Sequence, residues 1–199
     1  MTPSHLQAVD QALIAAAQRH ALVLVPGLYD SGPDHWQSHW QTRLDIWRRV
    51  TQSRWNEPDI GHWIDAIRRL LGQDRRPAIL VGHSFGALAS VCVTAARQHD
   101  IAGVLLVAPA EPSRFEVEDR VPRTPLRVPA IVVASHNDPV LPFGRAAYWS
   151  KVWNADMADL GEAGHINAEA GFGPWPYGLE LLKSLVEIIE SRGSGGGPG

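Results

Sequence analysis

Four short runs constrain this chain more than any other feature: Ala21–Val25, Ala78–Val81, Val104–Val107 and Ala130–Val133. Each is apolar at every position, and the first is cut off by Pro26-Gly27. A strand formed from such a run must be buried on both faces. Segments near Val50 and at Met157–Leu160 are weaker strand candidates. Helical patterns lie around and between them, at 4–19, 33–44, 59–71, 84–98, 143–152 and 178–190. In the third, Ile60, Trp63, Ile64, Ile67 and Leu71 recur at helical spacing behind Pro58. The alternation predicts an α/β fold with a mainly parallel sheet of about six strands and helices on both faces.

The 199 residues fit one domain. We expect it over 1–192, with 1–20 as an N-terminal helical extension and 193–199 as a disordered Gly-rich tail. Hydrophobic residues at 45% exclude a wholly disordered chain. The balance of 18 basic against 21 acidic residues argues against a nucleic-acid binder that relies on a basic surface. No apolar run approaches a membrane span, and the N-terminal stretch lacks the basic region of a secretory signal. The one cysteine, Cys92, lies in an apolar run and reads as a small core residue. This usage fits a cytoplasmic protein.

Chemistry concentrates after the second run, in Gly82-His83-Ser84-Phe85-Gly86. Gly-x-Ser-x-Gly alone is a common pattern. Here it stands between a buried strand and a helix of small residues, the context of a nucleophile elbow. Such a turn holds its serine in strained φ/ψ above the strand end, with the next helix N-terminus facing developing negative charge.

A serine hydroxyl needs a base, usually a histidine oriented by a carboxylate. Following an elbow serine, the acid comes next in the chain and the histidine last. Asp138, just past the fourth run, and His165, in Gly164-His165-Ile166-Asn167, fit that order. The candidate catalytic set is therefore Ser84, Asp138 and His165. The backbone N–H groups of Leu28 and Phe85 are the expected oxyanion donors. His83 should pack beside the turn, and His136 shares a loop with Asp138 and is poorly placed to reach Ser84. His35 and His39 have the spacing of a zinc pair, but Trp36 stands where a zinc peptidase needs Glu. We therefore expect no metal and no organic cofactor.

Val25-Pro26-Gly27, the Asp34–Trp40 segment, Gly82–Gly86, Ser135–Pro139, Gly164–Asn167 and Gly171–Pro176 together resemble the α/β-hydrolase superfamily. More narrowly, they resemble its small serine hydrolases related to bacterial YdeN and retinoblastoma-binding protein nine. The resemblance covers about residues 20–190. It implies a compact hydrolase core without a large lid domain, and the same Ser84–Asp138–His165 assignment.

Eight tryptophans are many for this length. Pairs at 36/40 and 149/153 share helix faces, which suits packing. A functional role would be an apolar acyl pocket lined by Trp36, Phe115, Phe143 and Trp175. The Pro- and charge-rich segment 109–129 is either a gate for that pocket or only a long connection. The expected activity is hydrolysis of small esters, thioesters or amides, with a small acyl compound as partner. The alternatives are a binding module on the same fold, or an enzyme of this fold doing acyl transfer or C–C cleavage.

Overall fold

The structure is a computed structural model and describes residues 2–194. Six strands form one sheet: β1 (Ala21–Val25), β2 (Trp47–Arg49), β3 (Ala78–His83), β4 (Ile101–Val107), β5 (Ala130–Ala134) and β6 (Asp156–Asp159). Their spatial order is β2-β1-β3-β4-β5-β6, and every neighbouring pair is parallel. Among the described residues there are six α-helices: α1 (Pro3–Ala17), α2 (Trp36–Arg43), α3 (Ile60–Leu71), α4 (Phe85–Ala96), α5 (Phe143–Trp153) and α6 (Pro176–Ser194).

The all-apolar strands are explained by a core on each side. Val23, Leu80, Val104 and Val132 face one cluster with α3, α4 and α5. Leu22, Ile79, Leu105 and Ile131 face a second with α1, α2 and α6. Successive strand residues point to opposite faces, so both sets must be apolar. The two outer strands are half-buried or exposed and carry charge, as edge strands do. Their composition is why the sequence marks them weakly.

Boundaries differ from expectation where small residues or caps intervene. β4 begins at Ile101 because Gly103 lets the strand pass Pro129 and Ile189, where a Cβ would lie 2.6 Å from the Ile189 side chain. α2 starts at Trp36 rather than Pro33, since His35 caps it by accepting the Gln37 N–H. α1 packs Val9, Leu13 and Ala16 into the second core, so it is integral to the fold. α6 starts at Pro176 and runs through Gly193 and Ser194, which the sequence assigns to the tail; residues 195–199 lie outside the described residues. Among the described residues no helix is long and apolar enough to cross a membrane.

From β1 the chain adds β2 on one side, and from β3 it builds outward on the other. The carboxyl ends of β1 and β3 therefore flank a topological switch point, where open α/β sheets form their ligand crevice.

Candidate active site

Ser84 stands at that switch point, between β3 and α4, with φ 54° and ψ −121°. Its backbone is held on both sides: Ser84 N–H donates to Val107 O at 3.0 Å, and Ser84 O accepts from Ala87 N–H at 3.0 Å. The flanking glycines are required by contact. A Cβ on Gly86 would sit 2.3 Å from Pro26 O and 2.4 Å from Val25 O. One on Gly82 would sit 2.7 Å from the Ala87 Cα. The elbow is thus a place where β1, β3 and α4 touch backbone to backbone.

His165 lies in the loop between β6 and α6. The Ser84 hydroxyl is 2.8 Å from its Nε2, and its Nδ1 is 3.0 Å from both oxygens of Asp138. The carboxylate beside Nδ1 fixes the tautomer with the proton on that nitrogen, leaving Nε2 to accept from Ser84. Asp138 follows β5, and its side chain is almost wholly buried. Its Oδ1 also accepts the N–H groups of Val140 and Leu141, at 2.7 and 3.3 Å, which aims it at the imidazole.

Above these groups is a cleft of about 570 Å³. Leu28, Phe115 and Val140 give it apolar wall, while Asp34, Arg114 and Glu169 charge it. Among the described residues neither Leu28 N–H nor Phe85 N–H has an acceptor, whereas Tyr29 N–H donates to Trp55 O at 2.8 Å. A larger cavity, about 650 Å³, lies at the amino ends of β4 and β5 among Thr94, Arg97 and Arg127. It holds no serine with an acid–base partner, so size does not mark the reactive site here.

The comparisons with known proteins agree with this architecture. The model of the serine hydrolase family matches residues 22–184. The chain belongs to that family. A protein described as a YdeN-like hydrolase, from Pectobacterium atrosepticum, is 53% identical, with 92% of this chain and 98% of that chain covered and a TM-score of 0.89. The ydeN gene product of B. subtilis is 19% identical, with 84% and 99% covered and a TM-score of 0.71. Alpha/beta hydrolase domain-containing protein 10 from mouse is 14% identical, with 86% and 90% covered and a TM-score of 0.64. These last two share the fold. A comparison with curated proteins gave no match.

The four expected pocket residues of this serine hydrolase separate. Phe115 lines the cleft, brought there by a short 3-10 turn, Pro112–Phe115, within the 109–129 segment. Trp36 does not: it is fully buried in the second core. Trp175 stacks on Trp40 in that same core, at 5.7 Å between centroids. Phe143 packs against the first core and the ring of His136, 4.1 Å away. Trp36 opens α2, Phe143 opens α5 and Trp175 directly precedes α6, and in each place the ring packs against the core rather than facing the cleft.

Three of the other histidines have partners of their own. His136 pairs with Asp159 at 2.8 Å. His35 caps α2 and lies 4.7 Å, centroid to centroid, from His83. Burial drives both rings toward the neutral form, taking His35 down to about 3 and His83 well below the ordinary range. Among the described residues no three His, Cys, Asp or Glu side chains gather as a metal site. Burial pushes the Cys92 thiol up to about 12, which disables it as a nucleophile.

One group of side chains is not visible to sequence reasoning: those that bond the His165 loop. His83 Nε2–H donates to His165 O and Trp36 Nε1–H donates to Ile166 O, each at 2.9 Å. Ser135 and Asn137 hold the preceding two residues. They are scattered over three regions of the chain, so no spacing links them.

Proposed function

We propose that this hydrolase cleaves small esters, thioesters or amides through a covalent acyl-enzyme on Ser84. The Ser84 oxygen attacks the carbonyl carbon while His165 Nε2 takes its proton. Asp138 holds the tautomer and stabilises the imidazolium. The N–H groups of Leu28 and Phe85 bind the oxyanion, helped by the N-terminus of α4. The carbon–heteroatom bond then breaks, and His165 returns the proton to the leaving group. Water, deprotonated by His165, attacks the acyl-enzyme and releases the acid and Ser84.

The observation that carries this reading is the unbroken hydrogen-bonded line Ser84–His165–Asp138, at 2.8 and 3.0 Å, at the floor of a cleft. The Leu28 and Phe85 donors support it, since among the described residues no other acceptor occupies them. The cleft volume favours a small acyl compound. The single buried, unpaired Cys92 fits work in a reducing compartment such as the cytoplasm.

The test is treatment with a fluorophosphonate followed by intact mass. Wild type should gain one adduct, mapped to Ser84, and Ser84→Ala and His165→Ala should gain none. A folded wild type that stays unlabelled would overturn the mechanism and favour a binding module.

A further inference from the structure

We propose that His83 and Trp36 are positioning residues, which set the place of His165 by holding the carbonyls of His165 and Ile166. The proposal rests on the reading of Ser84 and His165 as nucleophile and base.

The loop that carries His165 has no strand or helix to shape it between Asp159 and Pro176. Four consecutive residues in it are instead bonded by side chains from elsewhere. Ala163 N–H donates to Ser135 Oγ at 2.8 Å, and Gly164 N–H donates to Asn137 Oδ1 at 2.7 Å. His83 and Trp36 then donate to the next two carbonyls, both at 2.9 Å. Ile166 sits at φ 48°, a left-handed conformation that a β-branched residue adopts only when its surroundings force it. The Trp36 indole holds the Ile166 carbonyl, while the Ile166 N–H donates to Ala163 O at 3.2 Å.

The two donors come from rigid places. His83 is the last residue of β3 and directly precedes Ser84. Its bond ties the base to the same strand that presents the nucleophile. Trp36 opens α2, fully buried between Trp40, Trp175 and His83. The Nε2–Oγ separation of 2.8 Å is therefore measured from β3 and α2. Burial keeps His83 neutral, which preserves one donor nitrogen without placing a charge beside His165.

The experiment compares His83→Phe, His83→Gln, Trp36→Phe and the control Trp40→Phe. Trp40→Phe removes an equally buried indole from the same helix, one that donates to Pro174 O outside the His165 segment. Each protein is titrated for reactive serines with a fluorophosphonate, and kcat and KM are measured on a small ester. His83→Phe and Trp36→Phe should lower kcat and the labelling rate by about 10–100-fold. KM should stay within about twofold, and one serine per chain should still titrate. His83→Gln should recover most of the loss, since its amide nitrogen can stand where Nε2 stands. Trp40→Phe should stay within about twofold of wild type. If lost activity matches lost titratable serine, or if Trp40→Phe falls as far as Trp36→Phe, the residues serve packing only. If wild type is labelled at Ser84 and both donor variants label at its rate, only the positioning role fails. If wild type is not labelled, the nucleophile assignment fails and the positioning role with it.

Discussion

Ser84 and His165 stand 2.8 Å apart and are held in place by different means. Ser84 is placed by backbone: a sheet hydrogen bond, a helix start, and two glycines pressed against neighbouring main chain. His165 is placed by side chains, on a loop that borrows its shape from Ser135, Asn137, His83 and Trp36. A backbone device resists change and is destroyed by a single methyl group. A side-chain cradle can lose one member and relax, so its failures should be graded.

The largest effect should come from removing the chemistry without the device. Ser84→Ala keeps the turn, because none of the backbone bonds uses the hydroxyl. We expect kcat to fall about 10⁴–10⁶-fold, with stability in a urea titration changed by no more than about 0.5 kcal/mol. Gly86→Ala is the converse. Its Cβ would press on two carbonyl oxygens at the end of β1, which are backbone and cannot rotate away. It should cost about 3 kcal/mol of stability and remove labelling of Ser84. A Gly86→Ala protein of wild-type stability and activity would show that the elbow is not backbone-limited.

The same contrast explains what was legible in the sequence. β1 can be drawn from its five apolar residues, because a strand buried on both faces leaves no polar position to confuse. The elbow can be drawn because close backbone approach requires Gly at fixed offsets from Ser84. Asp138 and His165 follow from chain order once Ser84 is chosen, and the fold brings all three within hydrogen-bond reach. The cradle left no such trace. Trp36 reads as packing first and pocket wall second, and only the path of the 163–166 backbone makes its indole N–H a donor to Ile166. Phe143 and Trp175 are ambiguous for a related reason. A large aromatic residue reads as buried, but its type does not say whether a neighbour or a substrate covers it.

Acid should act on the side-chain half through its buried imidazoles. His35 stays neutral in the fold down to about 3, through burial first, then the nearby charges of Arg49 and His165, with Asp30 opposing. In the unfolded chain it titrates near about 6.5. Below that pH the unfolded state binds the extra proton, so stability falls as pH drops and levels off only near the folded value. Between pH 7 and 5 His35 alone should cost about 2 kcal/mol, and His83 acts in the same direction. Urea midpoints at the two pH values measure this. His35→Gln should flatten the dependence by about one proton, and an unchanged slope in that variant would place the acid sensitivity elsewhere.

The smallest effect isolates one member of the cradle. Asn137 uses only its carbonyl oxygen, accepting from Ser135 Oγ–H at 2.8 Å and Gly164 N–H at 2.7 Å. Asn137→Ala removes both bonds yet leaves Asp138 its own N–H donors from Val140 and Leu141. The acid therefore keeps its aim while the base loses one of four restraints. We expect kcat to fall about tenfold, with KM and the count of titratable serines unchanged. A fall as deep as that of Ser84→Ala would mean that the loop collapses when one bond is lost, making it as brittle as the elbow. No fall at all would mean that His83 and Trp36 suffice, and that the cradle is smaller than its four bonds.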